Sequence, residues 1–311
     1  MTRLLLGALL AVACVAGAHA RTLEVGPGKQ FKQPSDAIKA AGDGDTVSIY
    51  PGEYFDCAQV PQNRITIQGI GKAEDVVMTD KPCMGKALLI TEGNDITVRN
   101  MTLTRVRVPD LNGAGIRDEG NNLTIEKVRF INNQNGILSG RNGGFMIIRD
   151  SLFEKNGFCE RNCAHGLYVG QLDLLHVERT KFYETHRGHH IKSRALRTEV
   201  IDCDIEDGPD GNASYEIEIP SGGSLIARGN TIIKGPHAEN HTAAIVIGAE
   251  GVIQPTRELI VEDNNFRSDG SWPTFFVWNL TATEVQIRNN KIAGKVALLK
   301  GDGQVSGNVT N

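Results

Sequence analysis

Aromatic residues are scarce in this chain of 311 residues: they make up 5% of it, and only two of them are tryptophan. Beyond the first twenty residues, no apolar run approaches the ~20 residues that a helix needs to cross a bilayer. Positive charge is also in deficit, since the formal net charge is −4. These deficits argue against a membrane span and against nucleic acid as the main partner.

Residues 1–20 have the composition of a secretory signal peptide. An apolar run from Leu4 to Val15 follows a positive charge at Arg3, and Ala18-His19-Ala20 places small residues before a cleavage site. We expect a mature chain that begins at Arg21 and is secreted or periplasmic. A lipoprotein signal that ends at Cys14 ranks second, because Ala11 stands where a branched aliphatic residue is usual.

Five cysteines remain after that cleavage, and a secreted compartment permits disulfides. Cys159 and Cys163 are close enough in sequence to close a small ring, and Cys57 and Cys83 are placed to join the first two repeats. Cys203 is then left as a buried thiol. No CxxC pair or flanking histidine fits a zinc site.

A degenerate phrase, apolar-x-apolar-polar-polar-x-x-apolar, recurs along the chain. Copies include ITVRNMTL from Ile96, LTIEKVRF from Leu123 and VQIRNNKI from Val285. The copies begin roughly 23–34 residues apart, the length of one solenoid coil. Alternation with period two inside each copy indicates a strand, and Asn, Asp and Gly fill the breaks where the chain must turn.

A second type of strand falls between the copies. These strands align on one apolar residue each, namely Ile116, Ile137, Leu167, Ile191, Ile217, Ile245 and Val277. Several short strands in every coil predict an all-β parallel solenoid over residues 21–311, with Phe153, Phe182, Ile232, Phe266 and Ile292 in its core. Pro34 to Ala41 is predicted to form a short helix with Ser35 as its N-cap. It would cover the open end of the solenoid, in an N-terminal cap of about residues 21–60.

The opening block VGPGKQFKQPSDAIKAAGDGDTVSIYPGEY resembles the N-terminal cap and first rung of the pectin-lyase-like superfamily. The later blocks NGAGI, NNQNGI, CAHGLYVG, GHHIKSRA and SYEIEIPSGG resemble secreted bacterial β-helix repeat proteins. The resemblance covers essentially the whole mature chain and implies a single-stranded right-handed parallel β-helix. The superfamily holds polysaccharide lyases, glycoside hydrolases, uronan epimerases, esterases and non-catalytic adhesins, so the fold alone does not decide the function.

Polar side chains concentrate on three neighbouring strands of the second type. Strict alternation would turn outward the residues one before, one after and three after the aligned apolar residue. This places on one face Tyr168, His190, Lys192, Arg194, Glu216 and Glu218, with His165, His189 and Tyr215 entering the same strands one step earlier. Each residue alone also fits an ordinary solvated sheet face, and Lys192 beside Glu218 fits a cross-rung ion pair. Their concentration favours a functional patch.

The leading hypothesis is cleavage of a uronic-acid-containing polysaccharide by β-elimination. Lys192 is the expected base, since cationic His190 and Arg194 beside it would lower its pKa. Arg194 would bind the substrate carboxylate and stabilise the enolate, while Tyr168 or His165 would protonate the leaving oxygen. Glu218 is grouped with these catalytic residues. The residues assigned to substrate binding are His189, Tyr215, Glu216 and Arg117.

Three other functions use the same patch. Glu216 and Glu218 would serve as acid and base in a glycoside hydrolase; an epimerase would begin with the same proton abstraction; and a non-catalytic scaffold would only bind polysaccharide. The sequence requires no cofactor, although Glu216 and Glu218 are the credible ligands if calcium is used. The expected partner is an extended acidic polysaccharide, and we expect a monomer.

Overall fold

Three long parallel sheets, here named A, B and C, run along the part of the chain that the structure describes, where they contain twelve, eleven and ten strands. The computed structural model describes residues 19–140, 143–160 and 163–310. From Thr46 onward within these ranges, successive coils add a strand to A, then B, then C, so the predicted parallel β-helix is confirmed. Residues 1–18 of the predicted signal peptide lie outside the described residues.

The strands of each sheet follow one another in chain order. Sheet A is made of Thr22–Val25, Thr46–Ile49, Thr66–Gly69, Asn94–Arg99, Asn121–Glu126, Phe145–Arg149, Leu174–Glu178, Arg197–Ile201, Ser224–Arg228, Leu259–Glu262, Val285–Arg288 and Gly303–Ser306. Sheet B is made of Gly52–Tyr54, Val76–Thr79, Thr102–Thr104, Arg129–Ile131, Leu152–Glu154, Lys181–Tyr183, Asp204–Glu206, Thr231–Lys234, Asn265–Ser268, Lys291–Ala293 and Val309–Thr310. Sheet C is made of Ala58–Val60, Ala87–Thr91, Ala114–Asp118, Asn135–Ser139, Leu167–Val169, His189–Ser193, Tyr215–Ile219, Ala243–Ile247, Thr274–Asn279 and Val296–Lys300. Phe158–Cys159 and Cys163–Ala164 form a small antiparallel pair.

The corner between sheets A and B explains the polar pair in the recurring phrase. In five coils the residue directly after the strand of sheet A has a positive φ of 50–57° and is Asn100, Asp150, Asp202, Asp263 or Asn289. Asn and Asp enter this left-handed region more readily than other residues with a β-carbon. The second residue of the polar pair therefore forms a bend that joins the strand of sheet A to the strand of sheet B.

Aromatic rings stack along the inside of the solenoid. The ring centroids of Phe130 and Phe153 lie 4.6 Å apart, and those of Phe153 and Phe182 lie 4.7 Å apart. Burial of one such side chain stabilises the fold by roughly 1.5–3 kcal/mol. The five predicted core residues are all buried, so that prediction is confirmed.

The helix Pro34–Ala40 covers the N-terminal end and buries Ala37 and Ile38 against the first coil. The predicted helix is thus present, but Ser35 is not its N-cap. Gln33 holds that position without a side-chain cap, and Pro34 follows it because the first helical residue needs no N–H partner. The N–H of Ser35 instead donates to Asp56 Oδ2 at 2.7 Å. A short 3₁₀ helix spans Ala73–Asp75.

Both predicted disulfides are present, joining Cys57 to Cys83 and Cys159 to Cys163. Cys203 is a buried free thiol, as predicted, and burial raises its pKa to about 12. The disulfides fit an oxidising compartment. In the part of the chain that the structure describes, no helix combines the length and apolarity needed to cross a membrane.

Candidate functional site

The outer face of sheet C carries the predicted polar row. Tyr168 lies opposite Lys192, and Lys192 lies opposite Glu218, in the parallel register between strands. Neighbouring strands lie about 4.8 Å apart, so the three side chains form a continuous row. Lys192 is 8% exposed and Glu218 only 3%, which sets this row apart from an ordinary solvated sheet face.

A second outward row lies three residues earlier along the chain and contains His165, His189 and Tyr215. The three rings stack, with centroids 4.9 Å and 5.2 Å apart. His165 also meets the Tyr168 ring edge-on, at 5.1 Å between centroids. The two rows therefore contact each other through His165 and Tyr168.

Backbone hydrogen bonds fix the protonation of both histidines. The N–H of His189 donates to His165 Nδ1 at 3.0 Å, and the N–H of Tyr215 donates to His189 Nδ1 at 3.2 Å. A ring nitrogen that accepts a hydrogen bond carries no proton, so each ring carries its hydrogen on Nε2. Burial lowers the pKa of both imidazoles, which keeps them neutral at neutral pH.

Glu218 lies between a histidine and a lysine. Its Oε2 is 3.0 Å from His189 Nε2 and 3.0 Å from Lys192 Nζ. Burial alone would raise the pKa of Glu218, but His189 and Lys192 outweigh burial and lower that pKa to about 2. Glu218 is therefore a carboxylate over nearly the whole pH range.

Two residues absent from the predicted set, Ser221 and Glu250, complete the site. Lys192 Nζ lies 2.6 Å from Glu250 Oε1, and Arg194 Nη2 donates to Glu250 Oε2. Arg194 also donates from Nη1 to Ser221 Oγ at 2.6 Å and from Nε to Tyr168 Oη at 3.1 Å. The outer patch consists of His165, Tyr168, His189, Lys192, Arg194, Tyr215, Glu218, Ser221 and Glu250.

The position of Glu250 depends on a turn whose direction the sequence does not reveal. Glu250 follows the strand Ala243–Ile247, and its N–H donates to Pro220 O at 2.9 Å. This bond directs the turn back toward earlier coils. The sequence signal that could have identified Glu250 was a lone acidic residue in the glycine-flanked segment GAEG, directly after a strand of sheet C.

The charges around Lys192 differ from those expected. Burial alone would lower its pKa, but Glu218 and Glu250 outweigh burial and raise the pKa. The predicted lowering of this pKa by neighbouring cations is therefore wrong, and Lys192 is an ammonium group here. The pKa of Arg194 is also raised, since Glu250 and Tyr168 outweigh the opposing effect of burial.

His190 and Glu216 point into the solenoid, where neither has exposed surface. Strict alternation fails in sheet C, because the residue before the aligned apolar one also faces the core. Phe276 and Val277 are consecutive in sequence, yet both are fully buried in one core cluster. The prediction that His190 and Glu216 lie on the outer face is wrong, and neither side chain reaches a ligand bound there.

The sequence contained a sign of this geometry. In the other coils the same position is small or apolar: Gly115, Gly136, Gly166, Ala244 and Phe276. A β-carbon on Gly136 would lie 2.6 Å from a ring carbon of Phe153, which shows that this position faces the core. When this inward-facing position is polar in only two coils, at His190 and Glu216, it indicates a buried polar network.

That inner network joins four fully buried ionisable residues, His190, Asp207, Glu216 and Lys234. His190 Nε2 lies 3.1 Å from Asp207 Oδ1, and its Nδ1 lies 2.8 Å from Thr185 Oγ1. Lys234 Nζ lies 3.4 Å from both carboxyl oxygens of Glu216. Burial raises the pKa of Glu216, and Lys234 opposes this effect. Burial alone would raise the pKa of Asp207, but His190 outweighs it and lowers the pKa.

Arg117 lies in the outward row but outside the outer patch. Leu138 stands between it and Tyr168, and Arg117 Nε lies 3.3 Å from Glu119 Oε1. Leu138 forms an apolar cluster on this face with Ala87, Ile90 and Ala114. Cys83 packs against this cluster. The polar part of the face therefore begins at Tyr168.

Glu216 and Glu218 do not fit the calcium site that they were expected to form. Glu216 enters the core beside Lys234, whereas Glu218 lies on the outer face beside Lys192. One cation cannot contact both carboxylates, and the described ranges contain no group of three or more His, Cys, Asp or Glu side chains placed to hold a metal. The same separation removes this pair as the acid and base of a hydrolase.

No family model matches the sequence, and no curated protein matches it. ORF18 of Geobacillus virus E2 is similar in structure, with a TM-score of 0.50 and 14% identity over 93% of this chain and 59% of that chain. Escherichia coli YbhC aligns with a TM-score of 0.46 and 11% identity, over 98% of this chain and 88% of that chain. The A-module of the mannuronan C-5 epimerase AlgE6 of Azotobacter vinelandii aligns with a TM-score of 0.43 and 16% identity, over 89% and 93%. Together with the stacked parallel sheets, the similarity to ORF18 shows the right-handed parallel β-helix fold.

Proposed function

We propose that this protein binds uronic-acid-containing polysaccharides at the outer patch and cleaves them by β-elimination. The observation that carries the proposal is the pair Lys192 and Arg194, two cations on the outer face of sheet C that contact one and the same carboxylate. Sheet C continues on both sides of this pair. An extended chain with repeated carboxylates is the ligand that suits such a surface.

In the proposed elimination, a base removes the proton on the carbon next to the substrate carboxylate. The electron pair released forms the enolate, and then a carbon–carbon double bond as the glycosidic oxygen leaves with a proton from an acid. Arg194 would hold the carboxylate in its planar fork and stabilise the charge that develops on it. Ser221 and Tyr168 fix the guanidinium for this task.

Tyr168 is the favoured proton donor. Its Oη accepts a hydrogen bond from Arg194 Nε, so its own O–H remains able to donate to a leaving oxygen. His165, the alternative donor, is buried behind the edge of the Tyr168 ring. Tyr168 therefore stands nearer to any ligand on this face.

Lys192 is the proposed base, and the two carboxylates beside it limit how much of it is in the free-amine form that a base requires. Glu218 and Glu250 raise its pKa, so only a small fraction is the free amine at neutral pH. The rate of elimination should then rise as the pH increases.

His189 and Tyr215 are proposed to contact the sugar beside the reacting bond. Arg117, two strands before Tyr168, would contact a more distant sugar.

The test is incubation of the mature protein with a panel of polyuronates, including polygalacturonate, polymannuronate and polyguluronate. Elimination creates unsaturated ends that absorb in the ultraviolet, whereas hydrolysis creates reducing ends without that absorbance. Unsaturated products from any member of the panel would support the proposal. Reducing ends without ultraviolet absorbance would overturn elimination in favour of hydrolysis.

A second candidate, polysaccharide binding without cleavage, is favoured by one observation. Each basic nitrogen of the outer patch that is a candidate base is engaged: Lys192 lies between two carboxylates, and Nδ1 of both histidines accepts a backbone hydrogen bond. Tight binding of a polyuronate with no product would select this candidate. Altered sugar configuration without cleavage, read by nuclear magnetic resonance, would instead select epimerisation.

A further inference from the structure

Glu250 reaches the outer patch from a turn that lies 58 residues after Lys192 in the chain. Its carboxylate spans the two cations, with Oε1 at 2.6 Å from Lys192 Nζ and Oε2 accepting from Arg194 Nη2. The cations are held from behind by Glu218, Tyr168 and Ser221. Glu250 therefore contacts them in the way that a separate carboxylate ligand would.

The two sides of this contact differ in exposure. The side chains of Lys192 and Arg194 are 10% and 22% exposed, whereas that of Glu250 is 43% exposed. Rotation about the side-chain bonds of Glu250 would carry its carboxylate into solvent without movement of the backbone, and exposed side chains make such rotations rapidly. The cations are thus the fixed part of the contact, and the carboxylate is the part that can leave.

We infer that Lys192 and Arg194 form a subsite for a single carboxylate of the polysaccharide, and that Glu250 fills this subsite in the free protein and is displaced when the ligand binds. This inference rests on the proposed function, and it makes the Glu250 carboxylate a competitor of the ligand's carboxylate for the same two cations. The incoming carboxylate would replace the contacts that Glu250 gives up. A neutral sugar would offer no such replacement, so the competition would favour charged ligands over neutral ones.

Glu258 provides a matched control for Glu250. It lies in the same connection between sheets C and A, its side chain is 44% exposed, and it pairs with Arg197 at 3.0 Å, away from the outer patch. The experiment compares wild type, Glu250→Gln, Glu250→Asp and Glu258→Gln by calorimetric titration with tetramers of galacturonate, mannuronate and guluronate. The same tetramers with esterified carboxylates serve as neutral probes, and circular dichroism verifies that each variant is folded.

We expect Glu250→Gln to bind at least one acidic tetramer about three- to tenfold more tightly than wild type, the scale of losing one or two partly exposed ion pairs as competitors. Glu258→Gln should bind as wild type does. Glu250→Asp should gain less affinity than Glu250→Gln, because it keeps the competing charge, and the affinity for the esterified tetramers should not rise in any variant. Equal or weaker binding by Glu250→Gln, while wild type binds, would overturn the inference and leave the proposed function standing. Failure of all four proteins to bind any acidic tetramer would overturn both.

Discussion

His189 Nε2 lies 3.0 Å from Glu218 Oε2, across two neighbouring strands of sheet C. Because His189 Nδ1 accepts the N–H of Tyr215, the imidazole carries its hydrogen on Nε2, the nitrogen that lies close to the carboxylate. A neutral imidazole and an ionised glutamate thus form a fixed pair next to Lys192. The pair holds the negative charge that keeps Lys192 protonated, so it influences both the stability and the chemistry of the outer patch.

Glu218→Gln should be less stable than wild type, and the difference should depend on pH. The pKa of this carboxyl is about 2 in the fold against an ordinary value of 4.5, so its ionised form stabilises the fold above pH 4.5. That contribution is lost as the pH falls from 4.5 toward 2. Melting temperatures of both proteins, followed by circular dichroism at several pH values, should converge in this interval. A difference that does not change with pH would contradict the assignment.

Lys192→Arg should separate the role of the positive charge from that of the base. Arginine keeps the charge but cannot be deprotonated in a protein, so binding of polyuronates should stay within about threefold of wild type. Elimination should fall by about 10²–10⁴-fold, the contribution of a general base. Binding comes from titration and the rate from ultraviolet absorbance. Full activity in Lys192→Arg would remove Lys192 as the base, and Lys192→Ala should lose both properties.

Tyr168→Phe should reduce the rate of elimination by about 10²-fold or more, because it removes the proposed acid while keeping the ring against His165. Arg194 would also lose the acceptor for its Nε. Substrates with a better leaving group, such as an aryl glycoside of the uronate, should recover part of the rate. An equal loss on both substrates would point to a positioning role for Tyr168.

Glu250→Gln should shift the pH dependence of kcat/KM for elimination, which reports the pKa values of the free enzyme, in which Glu250 still contacts Lys192. Glu250 is one of two carboxylates that raise the pKa of Lys192, so its removal should lower that pKa. The free amine then forms at lower pH, and the rising limb of the profile should move in the acid direction. Glu258→Gln should leave the profile unchanged. If the pH profile of Glu250→Gln matches that of wild type, deprotonation of Lys192 does not produce the rise in rate with pH.

Lys234→Met should destabilise the fold by about 3 kcal/mol, because it leaves Glu216 without its cation in the fully buried inner network. The double variant Lys234→Met with Glu216→Gln should recover part of this loss. Urea unfolding gives both free energies and, as a double-mutant cycle, the coupling between the residues. Lys86→Met, which breaks the partly exposed pair with Glu119, should cost less than about 1 kcal/mol.

Much of the fold can be predicted from local sequence patterns. The alignment on one apolar residue in each coil gives the register of sheet C, since Leu167, Ile191 and Ile217 pair directly. Asn and Asp at the bends after sheet A, and cysteines at suitable spacing, specify corners and disulfides. These features need only neighbouring residues or neighbouring coils, so the sequence contains enough information for them.

The candidate site was only partly predictable, for two physical reasons. One is the interruption of alternation in sheet C, which turns His190 and Glu216 inward although period two would place them outside. The other is distance along the chain: the turn that brings Glu250 to Lys192 is set by its bond to Pro220 O, and no local pattern specifies that bond. The predicted neighbours of Lys192 were therefore cations, whereas the actual neighbours are carboxylates.

The parallel register of sheet C has a consequence for ligands of different repeat length. Equivalent side chains recur about every 4.8 Å along this face, and continuous hydrogen bonding between strands prevents the interval from adjusting. A repeating oligomer keeps matching these positions only when its own repeat is close to a multiple of that interval. Two oligomers that differ in linkage geometry would bind alike when short and diverge in affinity as they lengthen, since the mismatch accumulates with every added unit.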